Sequence, residues 1–192
     1  MIIKNVENCR RFIGIFGLET QGVDLPSLLN SVNELSKESR VVIQLFDSSL
    51  IATWEHLFFG ALNAIKAFRY GKNISNNLSV ECLLYVSGQR QISVAVENFG
   101  VKQSTRSMGI ILIGDTQDLL TEARRKILQI TKGTENDAVL SINEDKFRKI
   151  RSFFQITEIE LDTIRRSDDW NSYIDALTRY CIERSSLLTL QR

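Results

Sequence analysis

The chain has 192 residues, of which 43% are hydrophobic and 24% charged, with a net charge of +1. That apolar content suffices to close a core without staples, and the near-neutral balance gives no global pull toward nucleic acid or anionic membranes. No apolar run approaches the roughly 20 residues of a membrane span, and the opening MIIKNVENCRR is too short and polar for a secretory leader. Cys9, Cys82 and Cys181 are scattered and odd in number, which argues against a disulfide framework or zinc knuckle and for a reducing compartment. With a single proline and no low-complexity tract, residues 1–192 are expected to form one domain with no membrane association. The expected location is the cytoplasm, and also the nucleus in a eukaryote.

In chain order, residues 11–18 (RFIGIFGL) read as a strand, with Gly14 and Gly17 marking places where another backbone approaches. Asp24 stands as a helix cap before Leu25-Pro26, and Leu25, Leu28, Leu29, Val32 and Leu35 repeat on one helical face. Val41 to Phe46 is apolar except for Gln44, the pattern of a strand covered on both faces. Asp47, Ser48 or Ser49 caps a helix whose Trp54, Leu57, Phe58, Ala61, Leu62, Ile65 and Phe68 fall at helical spacing, and Gly71 closes it.

Leu78 to Tyr85 and Ile92 to Phe99 form two further helical runs, broken at Ser87-Gly88-Gln89-Arg90-Gln91. Met108 to Ile113 is a second buried strand, and Asp115 caps the helix that carries Leu119, Leu120, Ala123, Ile127 and Leu128. Residues 132–137 read as a turn and Ala138 to Ile142 as a short edge strand; from Asn143 the pattern is helical to the end. The expected class is α/β or α+β, with a small mixed β-sheet packed by several helices and a helical C-terminal part.

Catalytic signatures are missing. The chain has no G-x-G-x-x-G, phosphate loop, G-x-S-x-G or H-E-x-x-H motif, and Gly71-Lys72 lacks the upstream glycine and following hydroxyl of a phosphate loop. The sole histidine, His56, suits a packing role as well as a general base beside Glu55. The reading is therefore no catalytic residue, no metal and no cofactor, with a small enzyme using His56 as an alternative.

Charge is unevenly distributed. Between Leu62 and Arg106, six cations (Lys66, Arg69, Lys72, Arg90, Lys102, Arg106) face two carboxylates (Glu81, Glu97), a net +4 that leaves about −3 for the rest. Lys72, Asn73, Ser75, Asn76 and Asn77 form one polar loop and Gln89, Arg90 and Gln91 another; such side chains suit phosphate and sugar contacts, with Ile74 or Tyr70 beside them to receive a base. Solvated loops give the same composition. Lys146, Arg148, Lys149 and Arg151 read as a solvated basic stripe.

The run WEHLFFGALNAIKAF, then GKNISNNLSVECLLYVSGQRQISVAVENFGVK and the strand MGIILIG, resembles the small kinase-binding regulatory subunit of the KEOPS complex, the Cgi-type family that includes the TPRKB proteins. The resemblance rests on His56-Leu57, Ala64 and Ala67, Glu81 with Leu83-Leu84, Ser87-Gly88 through Arg90-Gln91-Ile92, and Phe99-Gly100. It covers Val41 to Ile113 best.

The resemblance implies a non-catalytic α/β protein that binds and stimulates a kinase-like ATPase subunit and, through it, joins the threonylcarbamoyl transferase subunit. Such a subunit helps capture the 3′ CCA end of tRNA for threonylcarbamoyladenosine modification. On that reading Lys72, Asn73, Ile74 and Arg90 meet the tRNA end, while Lys66, Arg69 and Lys102 supply longer-range attraction. Trp170, Tyr173, Leu177 and Tyr180 form an aromatic stripe suited either to the kinase interface or to core packing. A stand-alone RNA-binding protein using the patch around Lys72 and Arg90 is the alternative.

Overall fold

In a computed structural model, which describes residues 1–188, the chain follows the order β1 (Ile2–Val6), β2 (Arg11–Glu19), α1 (Leu25–Ser39), β3 (Val42–Asp47), α2 (Trp54–Arg69), α3 (Leu78–Ser87) and α4 (Ile92–Phe99). It continues through β4 (Ser107–Gly114), α5 (Gln117–Thr131), β5 (Thr134–Glu135), α6 (Glu144–Phe153), α7 (Glu158–Ile164) and α8 (Trp170–Leu187). The helical expectation for residues 189–192 lies outside the described residues.

The sheet runs β1-β2-β4-β3, and β5 pairs with the end of β2 that β1 leaves uncovered. The expected combination of helices with a small sheet is present. Its pairings are all antiparallel among the described residues rather than mixed, because β4 returns between β2 and β3 and runs against both.

Side chains alternate across the sheet, and both faces are covered. Phe16, Leu18, Ile110 and Leu112 pack against Leu28, Val32 and Leu35 of α1 and Leu120, Ala123 and Ile127 of α5. Ile13, Ile15, Ile111 and Ile113 face the larger layer built from α2, α3, α6 and α8. Continuous apolar runs in β2 and β4 are the sequence image of this double coverage.

Several local expectations are corrected. Residues 138–142 are not a strand. Asp137–Leu140 form a 3-10 turn capped by Asn136, whose side chain accepts from Ala138 N at 3.0 Å. That turn docks on β2, where Asn136 N donates to Gly17 O at 3.0 Å and Gly17 N donates to Asp137 Oδ1 at 2.8 Å. A Cβ at Gly17 would lie 2.3 Å from Asn136 O, so the close approach read from the sequence is real and excludes a side chain.

Helix starts also differ. Thr116 rather than Asp115 caps α5, accepting from Leu119 N at 3.3 Å, while Asp115 pairs with Arg11 at 2.5 Å. Asp47 caps the 3-10 turn Ser48–Leu50, and Thr53 precedes α2. The basic stripe on α6 is not a uniform solvated face: Lys146 is buried, and its Nζ donates to the carbonyls of Val139 at 2.8 Å and Ser141 at 3.2 Å. Burial pushes its pKa down to about 8.

Candidate functional site

The C-terminal corner of α2 builds the site. Tyr70 N donates to Lys66 O, Gly71 N to Phe68 O and Lys72 N to Ala67 O, and Gly71 takes a left-handed φ of 62° that ends the helix. The chain then crosses to Asn77, whose side chain accepts from Ser79 N at 2.9 Å and starts α3.

Glu81 holds the loop between them. Its carboxylate has no accessible surface and accepts from Ile74 N at 3.0 and 3.1 Å and from Ser75 N at 2.7 Å. A buried anion with several backbone donors is a strong, directional clamp. Sequence reasoning used Glu81 as a family mark and as a carboxylate offsetting the basic stretch, and missed this role. The available signal was a lone carboxylate inside the apolar run Val80 to Val86, which must be paired if it is buried.

Lys72, Asn73 and Ile74 on this loop, together with Arg90 beyond the end of α3, line a cavity of about 270 Å3 that also takes in Gly71, Tyr85 and Leu188. Four of the seven residues assigned to RNA are thus brought together. Arg90 follows Gly88, the left-handed cap of α3, and donates to Leu188 O at 3.4 Å. Burial, with the charge of Glu81 second, pushes the Tyr85 phenol up to about 12, so it lines the cavity as a neutral hydroxyl.

The other three lie elsewhere. Lys66 is exposed on the last turn of α2, whereas Arg69 donates to Asn8 O and, at 3.8 Å, to Cys9 Sγ, lining a different cavity. Lys102 sits on a loop whose Thr105 hydroxyl donates to Asp47 at 2.6 Å, close to the start of α2. Lys102 is not among the residues that line the cavity of Lys72 and Arg90.

The aromatic stripe of α8 divides. Leu177 is fully buried and packs within the chain, which removes it as a surface anchor. Trp170 remains 41% exposed while stacking on Phe147 at 5.2 Å. Tyr173 carries Arg165 over its ring at 4.9 Å, and Tyr180 donates to Glu160 O at 2.8 Å.

His56 is also internal. Its Nδ1 accepts from Ala52 N at 3.2 Å and its Nε2 donates to Val86 O at 2.8 Å, which fixes the neutral tautomer and ties the entry of α2 to α3. Burial holds its pKa down to about 4. With both nitrogens engaged and no accessible surface, this ring is unavailable as a general base. Among the described residues no group of His, Cys, Asp and Glu is gathered that could hold a metal ion, and no helix is long and apolar enough to cross a membrane.

A helix-covered antiparallel sheet with a polar, partly cationic cavity at one helix corner defines a small binding module. The chain belongs to the family of kinase binding protein CGI-121, which matches residues 22–185. It is 35% identical over 113 residues to the regulatory protein Cgi121 of Methanocaldococcus jannaschii, a match covering 59% of this chain and 70% of that protein. It is 22% identical over 129 residues to the EKC/KEOPS complex subunit CGI121 of Coccidioides immitis, covering 64% and 61% respectively.

Proposed function

We propose that residues 1–192 act as one regulatory, non-catalytic domain of a cytoplasmic KEOPS-type complex. It binds and stimulates the kinase-like ATPase subunit, through it meets the threonylcarbamoyl transferase subunit, and helps capture the 3′ CCA end of tRNA. Family membership across residues 22–185 carries the kinase-binding part of this reading. The convergence of Lys72, Asn73, Ile74 and Arg90 on one cavity supports the RNA part.

A free CCA end offers unstacked bases and phosphates, which suits a small cavity with an apolar wall at Ile74 and cations at Lys72 and Arg90. Lys66, Arg69 and Lys102 act at longer range. Trp170, Tyr173 and Tyr180 are the partner-face candidates, with Leu177 supporting them from inside. Removal of α8 is a poor test of that face, because the helix buries Ala176, Leu177 and Cys181 in the core.

The test pairs the full chain with the kinase-like subunit from the same genome and measures association and ATPase rate. Binding with a raised rate is expected. Absence of any complex refutes the regulatory reading, whereas loss of RNA binding on Arg90→Glu, with an unchanged melting temperature, is expected for the cavity.

A further inference from the structure

A second cavity, of about 570 Å3, lies beside the same helix corner. Its cationic residues come from opposite parts of the chain: Arg10 and Arg11 from the β1–β2 corner, and Arg69 from the last turn of α2. Ile65, Phe68 and Leu78 supply apolar lining. Its volume falls within the range of about 300–1,000 Å3 found for small-ligand sites.

Arg10 turns the corner with a left-handed backbone, φ 51°, and its N–H donates to Glu7 O at 3.1 Å. A residue with a Cβ rarely adopts that conformation. Arg10 is exposed and makes no ion pair among the described residues, while Arg11 pairs with the exposed Asp115. The guanidinium of Arg69 is positioned by its bonds to Asn8 and Cys9. Three arginines beside an apolar lining, with Arg10 outside any ion pair among the described residues, match a phosphate joined to a flat, weakly polar body, as in a nucleotide.

Tyr70 stands in the chain between the linings of the two cavities. It follows Arg69, which lines one, and precedes Gly71, which lines the other; its ring is 68% exposed. An exposed aromatic ring flanked by cationic cavities has the chemistry of a stacking platform for single-stranded nucleic acid.

We infer that the Arg10–Arg11–Arg69 cavity is a second nucleotide subsite, and that a single-stranded RNA end passes from it over Tyr70 into the Gly71–Ile74 cavity. This rests on the RNA-end reading proposed above. The 3′ terminus occupies the Gly71–Ile74 cavity, and nucleotides upstream of it reach Tyr70 and the arginines. A cavity of about 270 Å3 takes the terminal nucleotide, so a tail of one nucleotide fills it alone.

The test measures fluorescence anisotropy of the full chain with two labelled RNA hairpins, one whose 3′ tail is a single unpaired adenosine and one with a longer single-stranded tail ending in CCA. Arg10→Asn, which suits the left-handed backbone, is expected to weaken the long-tailed RNA about tenfold. It should also reduce the salt slope of that binding by about 0.7, as one lost phosphate contact on a single strand requires. Tyr70→Ala weakens the same RNA about tenfold through lost stacking. Arg10→Asn leaves the short-tailed RNA unaffected, and Arg90→Glu weakens both.

Wild-type affinity and salt slope for the long tail in Arg10→Asn and Tyr70→Ala, with both RNAs lost in Arg90→Glu, would overturn the second subsite and leave the RNA-end reading intact. Retention of both RNAs by Arg90→Glu, or no binding of either by the wild-type chain, would overturn that reading and this inference with it. Weakened binding of AMP by Arg10→Asn with unchanged long-tail affinity would make the cavity a free-nucleotide site and likewise overturn the RNA path.

Discussion

Replacing Glu81 by alanine should release the loop that carries Lys72, Asn73 and Ile74. The fully buried carboxylate accepts from Ile74 N through both oxygens and from Ser75 N at 2.7 Å. Each hydrogen bond to a charged group contributes about 1.5–3 kcal/mol, and both N–H groups would lose their acceptor. Relief of the carboxylate's own desolvation offsets part of that loss, leaving a net cost of about 3–4 kcal/mol. For a chain of this size that lowers the melting temperature by about 10 °C.

Glu81→Gln keeps one acceptor oxygen but turns an amide donor toward a backbone N–H, so about 2 kcal/mol is expected. Urea unfolding measures both variants, read from the midpoint at constant slope. Limited proteolysis between Tyr70 and Asn77 reports the loop itself, which should become the first point of cleavage in Glu81→Ala. An alanine variant within about 0.5 kcal/mol of wild type, with the loop still protected, would refute the clamp.

His56 sets a pH dependence. Its folded pKa of about 4 lies below the ordinary 6.5, so the unfolded chain takes up the proton first as pH falls. This contribution is fully present above pH 6.5 and declines by up to about 3 kcal/mol toward pH 4; the same pH slope in wild type and His56→Gln would contradict it. Gly17→Ala drives a methyl group to 2.3 Å from Asn136 O and should cost at least about 2 kcal/mol in urea unfolding. A neutral outcome would mean that the turn at Asn136 gives way. Trp170→Ala should leave unfolding within about 1 kcal/mol while weakening kinase association about fivefold or more, whereas Leu177→Ala should cost about 2–5 kcal/mol of stability. Equal kinase affinity in wild type and Trp170→Ala, measured by titration, would remove Trp170 from the partner face.

Periodicity located β2, β3, β4 and the principal helices because each carries a long apolar pattern whose burial decides its conformation. β1 escaped notice: only one of its five residues is buried, and Lys4 and Asn5 are exposed on an edge strand. The turn at Asp137–Leu140 imitated a strand in composition, yet Asn136 and Asp137 are committed to Gly17, a partner about 120 residues away that no local pattern reveals. At the candidate site, the two polar loops were visible as breaks between helical runs; α3 separates them, and it is the side chain of Arg90, donating to Leu188 O, that joins Lys72 and Ile74 at the cavity. Lys102, near in sequence to that patch, lies by Asp47 because α3 has already carried the chain back to the entry of α2. The pairing of Arg10 and Arg11 with Arg69 depends on β2 packing beside α2, a tertiary fact without a sequence signature.

The most direct test of the regulatory reading is the ATPase rate of the kinase-like subunit from the same genome, measured alone and with increasing amounts of this chain. A saturable rise in rate, accompanied by a stable complex on gel filtration, is expected. A rate that stays flat at concentrations saturating the complex, or the absence of any complex, would contradict it.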